Sequence, residues 1–199
     1  MAIDEALLDA IDGPVLRVYR WARPAVSFGY FERWKPVQAA HPDREAVRRW
    51  TGGGVVLHGD DFTYSLLLPP GGVPIMEGAA GSYKIIHHAL CQALQDIKIN
   101  AEPAPTSAEK LSQACFENPV RYDVLVDGRK VAGAAQRRSR KGLIHQGSIQ
   151  ALDLPAAFGP SFAGRLGAAV EVKTFDVIKA AEKLAAEKYG TAGWLEKRP

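Results

Sequence analysis

Cysteine, net charge and long apolar runs are all scarce in this sequence of 199 residues. Two cysteines are too few for a disulfide scaffold, so both are expected to be free thiols in a reducing compartment. The net charge of +3 does not by itself indicate a nucleic-acid-binding protein, and no apolar run is long enough for a transmembrane helix. The first residues also lack the basic and apolar segments of a signal peptide. The sequence therefore predicts a cytoplasmic protein without membrane association.

The composition that is present, 47% hydrophobic and 24% charged, is that of a globular protein, and the length suits a single domain over residues 1–199. Apolar and alternating runs predict strands or strand-like segments at residues 15–21, 25–28, 62–68, 122–126, 130–134 and 143–150, and residues 46–49 and 55–58 flank the glycine triplet. Helices are predicted at residues 2–11, 82–97 (with Ser82 as N-cap) and 174–189 (ending at Gly190), and residues 101–121 are expected to form a loop. Strands that outnumber helices, with a hairpin at Asp127-Gly128, favour an α+β (mixed α/β) fold with a mixed sheet.

Residues 48–58, Arg-Arg-Trp-Thr-Gly-Gly-Gly-Val-Val-Leu-His, form the first segment that could carry chemistry. Three consecutive glycines allow a ligand to approach the backbone closely, and their N–H groups can face an anion. Arg48 and Arg49 add positive charge suited to a carboxylate or a phosphate. The spacing matches neither a Walker loop nor a dinucleotide fingerprint, and a flexible turn with solvated arginines is the simpler interpretation.

Lys130 and Cys115 are two further, separate candidates. Lys130 begins a run of small residues that leaves room for a ligand beside its ammonium group. Cys115 lies in the expected loop, where a nearby cation could lower its pKa and make it nucleophilic. An exposed lysine and a small buried cysteine are the ordinary alternatives, and the second suits Cys91, which lies beside the apolar stripe of a predicted helix.

A basic tract comprises Arg137, Arg138, Arg140 and Lys141, and His145 follows it. Such a tract is usually a solvated loop, although it could attract an acidic partner protein or phosphate groups. No metal site is predicted.

Five segments, at residues 1–7, 27–31, 48–58, 122–138 and 143–149, together resemble, in the same order, the superfamily of lipoate–protein ligases, octanoyltransferases and biotin ligases. The resemblance implies a mixed sheet flanked by helices. It also implies an acyl chain near the glycine triplet with its carbonyl close to Lys130. The acyl group, lipoate or octanoate, would end as an amide on a lysine of a lipoyl domain. Biotin transfer is a minor alternative.

The resemblance further implies roles for individual residues. The acyl or adenylate group would be bound by Arg48, Arg49, Gly52, Gly53, Gly54, Val55, Val56, Leu57, His58, Asp123, Gly133, Ala134, His145 and Gly147. The tract Arg137, Arg138, Arg140 and Lys141 would dock an acidic acyl carrier protein.

Two chemistries occur in this superfamily. Ligases activate free lipoate with ATP and Mg²⁺, whereas octanoyltransferases take the acyl group from acyl carrier protein through a cysteine thioester and need no ATP. In one group of transferases that cysteine lies fifteen residues before the lysine, and 130 − 115 is also 15. The spacing favours a transferase in which Cys115 is the nucleophile and Lys130 stabilises the thiolate and the oxyanion. Neutral Lys130 or His145 could accept the proton of the acceptor amine.

Two departures from the family pattern bear on this choice. Family members usually carry a strand before the first helix, so we expect either a truncated start or a missing strand. The accessory C-terminal domain of many ligases is also expected to be absent, which disfavours ATP-dependent ligation through lipoyl-AMP unless an accessory subunit supplies that domain. A basic module that binds nucleic acid or acidic proteins is a third hypothesis, although we expect no nucleic-acid partner.

Overall fold

A computed structural model of the chain describes residues 1–71, 78–107, 119–167 and 175–197. These residues contain nine strands: β1 Val15–Tyr19, β2 Ala25–Phe28, β3 Glu45–Arg48, β4 Val55–His58, β5 Phe62–Leu68, β6 Ala101–Pro103, β7 Val124–Val126, β8 Arg129–Ser139 and β9 Gly142–Ile149. They also contain six α-helices: α1 Ala2–Ala10, α2 Trp34–Ala40, α3 Gly78–Asp96, α4 Phe158–Leu166, α5 Ile178–Leu184 and α6 Ala192–Leu195. None of the helices in these ranges is long and apolar enough to cross a membrane.

The strands form two sheets. The larger has the order β1-β5-β9-β8-β7-β6, and every neighbouring pair in it is antiparallel. The smaller has the order β3-β2-β4, in which β2 runs parallel to β3 and antiparallel to β4. The predicted α+β class with a mixed sheet flanked by helices is confirmed.

Side chains alternate between the two faces of the larger sheet, so each face has its own apolar cover. On one face, α3 and α4 pack against β5, β8 and β9, with Leu90, Leu94 and Phe158 fully buried. On the other face, α1 and α5 cover Leu67 and Ile144. Residues that follow β3 and β4 also contact this second face, since Thr51 bonds Gln146 and Asp61 bonds Ser148, and the candidate site lies there.

Helix α1 is fixed to the sheet by two buried carboxylates, which explains why an acidic pair faces the interior. Asp4 accepts hydrogen bonds from Arg17 Nη1 at 2.8 Å and Gln146 Nε2 at 2.7 Å. Glu5 is bound by Lys188 Nζ at 2.5 Å and the Tyr189 hydroxyl at 2.7 Å. These hydrogen bonds therefore link the N-terminal helix α1 both to β9 and to the C-terminal helices.

The predicted start of the long helix was wrong. The helix is already formed at Gly78, and Ser82 is a buried residue inside it rather than its N-cap. The Ser82 hydroxyl lies 2.9 Å from the Ala79 carbonyl oxygen and 2.8 Å from Gln136 Oε1 on β8. A serine in a helix can bond the carbonyl of the preceding turn in this way, so its presence did not mark a boundary.

Other predicted segments were confirmed in part. Asp127 and Gly128 have φ of 50° and 73°, as a type I′ hairpin turn requires. The expected loop at residues 101–121 contains β6, and its residues 108–118 lie outside the described part of the chain. The last predicted helix consists of α5 and a π-helical turn, Ala185–Tyr189, which Gly190 ends by donating to the Ala185 carbonyl. Its predicted first residue, 174, lies outside the described residues.

Candidate active site

The glycine triplet at residues 52–54 is seated directly on β8. A Cβ added to Gly29, just after β2, would collide with the Gly53 carbonyl oxygen, so only glycine fits beneath the triplet. Gly53 itself has a φ of +81°, and a Cβ added there would lie 3.2 Å from Ala135 Cβ. The absence of side chains at these positions is therefore what lets the loop contact the strand.

Arg49 holds the triplet from behind. Its Nη2 donates to the carbonyl oxygens of Gly52 at 3.1 Å and Gly54 at 2.8 Å. The carbonyl oxygen of Thr51 accepts from the Tyr30 amide at 2.9 Å. The carbonyl oxygens of Thr51, Gly52 and Gly54 are thus bonded to protein donors and are not available to bind a cation.

A buried relay orients the Arg49 guanidinium. Arg49 Nη1 donates to Ser27 Oγ at 2.7 Å, and Ser27 Oγ lies 2.6 Å from His58 Nε2. His58 Nδ1 lies 2.8 Å from Asp61 Oδ2. Because Asp61 accepts from His58 Nδ1, the Nε2 atom is free to accept the Ser27 hydroxyl hydrogen. The four side chains therefore form one chain of hydrogen bonds from the carboxylate to the arginine.

Burial sets the protonation of this relay. It lowers the pKa of His58 below the usual value, although the hydrogen bond to Asp61 opposes the effect. Burial alone would raise the pKa of Asp61, but hydrogen bonds from His58, Ser148 and the Gly59 amide lower that pKa to about 2. At neutral pH the relay therefore holds an ionised Asp61 and a neutral His58. Sequence reasoning missed Asp61, whose position three residues after His58 was the available signal.

Lys130 is paired with Asp123. Their Nζ and Oδ2 atoms are 2.7 Å apart, and the two side chains are 6% and 0% exposed. The same carboxylate accepts a hydrogen bond from the Val120 amide at 2.8 Å and another from the Tyr83 hydroxyl. Tyr83 in turn accepts from the Ala134 amide at 2.9 Å, which links the pair to β8. Asp123 thus fixes the lysine to a rigid part of the sheet.

The lysine and the triplet lie along the same face of β8. Lys130 folds back over Gly133, where an added Cβ would lie 2.7 Å from its Cε. Gly133 and Ala135 point to the same face, about 7 Å apart along the strand, and Ala135 carries the triplet. The ammonium group and the triplet therefore border one strip of small residues. The ammonium group can stabilise an oxyanion that forms beside this strip, where small residues leave room for a ligand.

Arg48 is held away from this strip. It is fully buried, donates from Nη1 to the Tyr30 carbonyl oxygen at 2.6 Å, and donates from Nη2 to the Leu195 carbonyl oxygen at 2.8 Å. Its guanidinium carbon also lies 4.8 Å from the centre of the Phe28 ring. Neighbouring residues of a strand face opposite ways, so Arg49 faces the triplet while Arg48 anchors α6. We therefore leave Arg48 out of the proposed ligand contacts.

The apolar residues after the triplet also divide between two faces. Val55 packs with Val26 and Phe28 in the core of the smaller sheet, and Leu57 is 42% exposed. Val56 pairs with Ser27, so its side chain faces the relay. Of these three residues, Val56 is the one that we keep as a proposed acyl contact.

His145 is on the opposite face of the larger sheet from the triplet. It is fully buried under α3, and its Nε2 lies 3.3 Å from the Tyr64 hydroxyl, which His87 Nε2 also approaches at 3.2 Å. Burial and the neighbouring His87 hold the pKa of His145 well below its usual range. Gly147 leaves space for the Tyr64 ring, with which an added Cβ would collide. His145 therefore faces α3 and not the triplet, and we do not include it as a proton acceptor in the proposed mechanism.

The remaining predicted residues have varied positions. Cys115 lies outside the described residues, whereas Cys91 is buried as expected. Arg137 and Arg138 belong to β8 rather than to a loop, while Arg140 and Lys141 form the turn before β9. In the described ranges, no group of three or more His, Cys, Asp or Glu side chains is arranged to hold a metal ion.

The buried histidines predict acid sensitivity. Burial lowers the pKa of His87 to about 4 and that of His145 well below 6.5, so the unfolded chain binds protons that the folded chain does not. Their contribution to stability is complete above about pH 6.5 and is lost as the pH falls toward 4. We expect His145→Phe to reduce the slope of unfolding free energy against pH in this window, measured by urea unfolding. The exposed His88→Gln is the control, and an unchanged slope in His145→Phe would contradict the assignment.

Comparisons with known proteins show the family of the chain. The family model of the lipoyl protein ligase A/B catalytic domain matches residues 1–152. Octanoyltransferase LipM of Carboxydothermus hydrogenoformans is 41% identical over 161 residues, which cover 75% of this chain and 59% of the relative. Octanoyltransferase LipM of Staphylococcus aureus is 33% identical over 175 residues, or 79% of this chain and 63% of the relative. The chain thus spans about three fifths of the length of these curated relatives.

Solved structures show the same fold at low sequence identity. Lipoate-protein ligase A bound with ATP superimposes with a TM-score of 0.77 at 17% identity, covering 100% of this chain and 93% of that one. A chain from the structure of a bi-partite lipoate protein ligase and its E2 lipoyl domain from Thermoplasma acidophilum gives a TM-score of 0.74 at 18% identity, covering 100% and 91%. With the triplet, the lysine and the sheet all in place, the chain belongs to the lipoyl protein ligase A/B catalytic domain family.

Proposed function

We propose that this protein transfers an octanoyl group from acyl carrier protein to a lysine of a lipoyl domain through a thioester on Cys115. The observation that carries the proposal is the Lys130–Asp123 pair, held beside both ends of the segment that contains Cys115. The relatives named octanoyltransferase LipM, which match 75% to 79% of this chain, support the same chemistry.

The two ends of residues 108–118 meet next to Asp123. The Arg121 amide donates to Ser107 Oγ at 3.0 Å, which joins the residues on either side of the segment. The Val120 amide donates to the Asp123 carboxylate. Cys115 is five residues from Val120, so at most about 17 Å of extended chain separates them. A segment of this length is long enough to bring the thiol to the Lys130 ammonium group.

In the first step, the Cys115 thiolate attacks the thioester carbonyl of the donor. A new carbon–sulfur bond forms, the bond to the donor sulfur breaks, and the donor thiolate leaves with the proton of the Lys130 ammonium group, which leaves Lys130 neutral for the second step. Lys130 stabilises both the attacking thiolate and the oxyanion of the tetrahedral intermediate. Because one thioester replaces another, the activated acyl group is preserved and neither ATP nor Mg²⁺ is required.

In the second step, the neutral amine of the lipoyl-domain lysine attacks the Cys115 thioester. The amide bond forms, the thiolate leaves, and the amine loses its proton. Neutral Lys130 is our candidate acceptor for that proton, since Asp123 stabilises the charged lysine that results. ATP-dependent lipoate ligation through lipoyl-AMP is the alternative that the experiments separate.

The exposed turn between β8 and β9 is our candidate surface for carrier-protein docking. Arg138 and Arg140 are exposed there, and the Lys141 side chain is 48% exposed while it pairs with Asp9. A cluster of exposed cations raises the rate of encounter with an acidic protein.

Replacement of Cys115 by serine is expected to abolish transfer from octanoyl–acyl carrier protein to a lipoyl domain, because the enzyme thioester cannot form. The matched control is Cys91→Ala: Cys91 is buried in α3, burial raises the pKa of its thiol to about 12, and the variant should retain transfer. The measurement is the rate of acceptor octanoylation without ATP. Wild-type rates in Cys115→Ser would contradict the mechanism.

Charge reversal at the turn tests the docking surface. The double variant Arg140→Glu, Lys141→Glu should raise the KM for octanoyl–acyl carrier protein at least about fivefold at low salt, with little change in kcat. The difference from wild type should shrink as salt is added, because exposed charges are screened. An unchanged KM at low salt would reject this surface.

A further inference from the structure

A cluster of cationic and aromatic side chains lies at the end of the β8 strip opposite Lys130. The packing contacts of these side chains do not explain why they carry positive charge. We define the Arg137 cluster as Tyr30, Trp50, Arg137 and Lys197. The Arg137 guanidinium carbon lies 4.7 Å from the centre of the Trp50 ring and 5.2 Å from that of Tyr30. Lys197 Nζ lies 5.2 Å from the centre of the same Tyr30 ring.

The positive charge of this cluster is not neutralised by carboxylates. In the described residues, Lys188 nearby is paired with Glu5, but neither Arg137 nor Lys197 forms an ion pair with an acidic side chain. Arg137 donates from Nη1 to the Trp50 carbonyl oxygen at 3.3 Å, and its buried Nε has no partner among these residues. A hydrogen bond with Lys197 lowers the pKa of Tyr30, and Arg137 adds to the shift. The cluster therefore favours an anion.

Its position relative to Lys130 limits what that anion can be. Lys130 folds back over Gly133, and Arg137 follows four residues later on the same face of β8. Four residues of a strand span about 13 Å. Between the two points, Gly53 lies against Ala135, so an extended ligand would pass over the exposed backbone of the glycine triplet, which has no side chains in its way.

We propose that the Arg137 cluster binds the phosphodiester of the donor's phosphopantetheine arm while the thioester lies at Lys130. The inference rests on the proposed function. Thirteen bonds separate the phosphorus of this arm from its sulfur, which at the per-bond rise of an extended peptide is about 15 Å. The arm therefore matches the separation of about 13 Å between the two cationic points. Guanidinium and ammonium groups form strong charge-assisted hydrogen bonds to phosphate, and the adjoining rings suit the apolar gem-dimethyl part of the arm.

The same distance argues against an acyl adenylate as the ligand of this cluster. In an adenylate a single oxygen joins phosphorus to the acyl carbonyl carbon. With that carbonyl at Lys130, its phosphate would lie beside the lysine and not about 13 Å along the strand. The cluster is therefore placed to bind acyl donors that have a long phosphopantetheine arm and not acyl groups that are activated by a nucleotide.

Direct binding of two small ligands tests the proposal. Isothermal titration calorimetry of the full chain should show phosphopantetheine binding at least about tenfold more tightly than pantetheine, which lacks only the phosphate. Arg137→Ala should reduce this preference to about one, and Lys197→Ala should reduce it in part. Arg165→Ala is the matched control: Arg165 is an exposed arginine on α4, paired with Asp96, and its loss should leave the preference unchanged.

The outcomes are separable. Equal affinities for the two ligands in the wild type, no binding of phosphopantetheine up to millimolar concentration, or an intact preference in Arg137→Ala would each overturn the proposal. If the proposed function is wrong but this inference is right, the protein will not transfer octanoyl from acyl carrier protein and will still prefer phosphopantetheine to pantetheine.

Discussion

The contact between the glycine triplet and β8 is the constraint on which the rest of the site depends. The triplet lies close to β8 because Gly53 has no side chain and Ala135 has only a methyl group, and it lies close to the end of β2 because Gly29 has no side chain. The loop is then held by Arg49, whose donors are directed to the carbonyl oxygens of the triplet. A larger residue at any of these positions would lift the loop and separate it from Lys130.

Each of the two cations at the site is fixed by a buried carboxylate, in two different ways. Lys130 contacts Asp123 directly at 2.7 Å, and that carboxylate is further satisfied by a backbone amide and Tyr83. Arg49 is oriented through Ser27 and His58, which leads back to Asp61. Buried charge is costly without such partners, and full satisfaction makes both networks rigid. The site is consequently a preorganised pair of cations on rigid elements rather than two mobile side chains.

The sequence predicted the parts that local chemistry determines. The Asp127-Gly128 turn, the apolar strands and the buried Cys91 follow from residue type and periodicity. The resemblance to the family suggested the triplet with Lys130, which the structure brings together on β8. Tertiary context determines the rest. Which of Arg48 and Arg49 faces the triplet depends on pairing in the smaller sheet, and the face on which His145 lies depends on the register of β9. Asp61 acquires its role from strands distant in sequence.

The central claim is that an activated acyl group passes through Cys115 without ATP. The most direct measurement is intact-mass spectrometry after mixing the protein with octanoyl–acyl carrier protein and no nucleotide. The account predicts a mass gain of one octanoyl group that hydroxylamine removes and that Cys115→Ser does not acquire. No adduct in the wild type, together with pyrophosphate release when lipoate and ATP are supplied, would contradict the account and identify the protein as an ATP-dependent ligase.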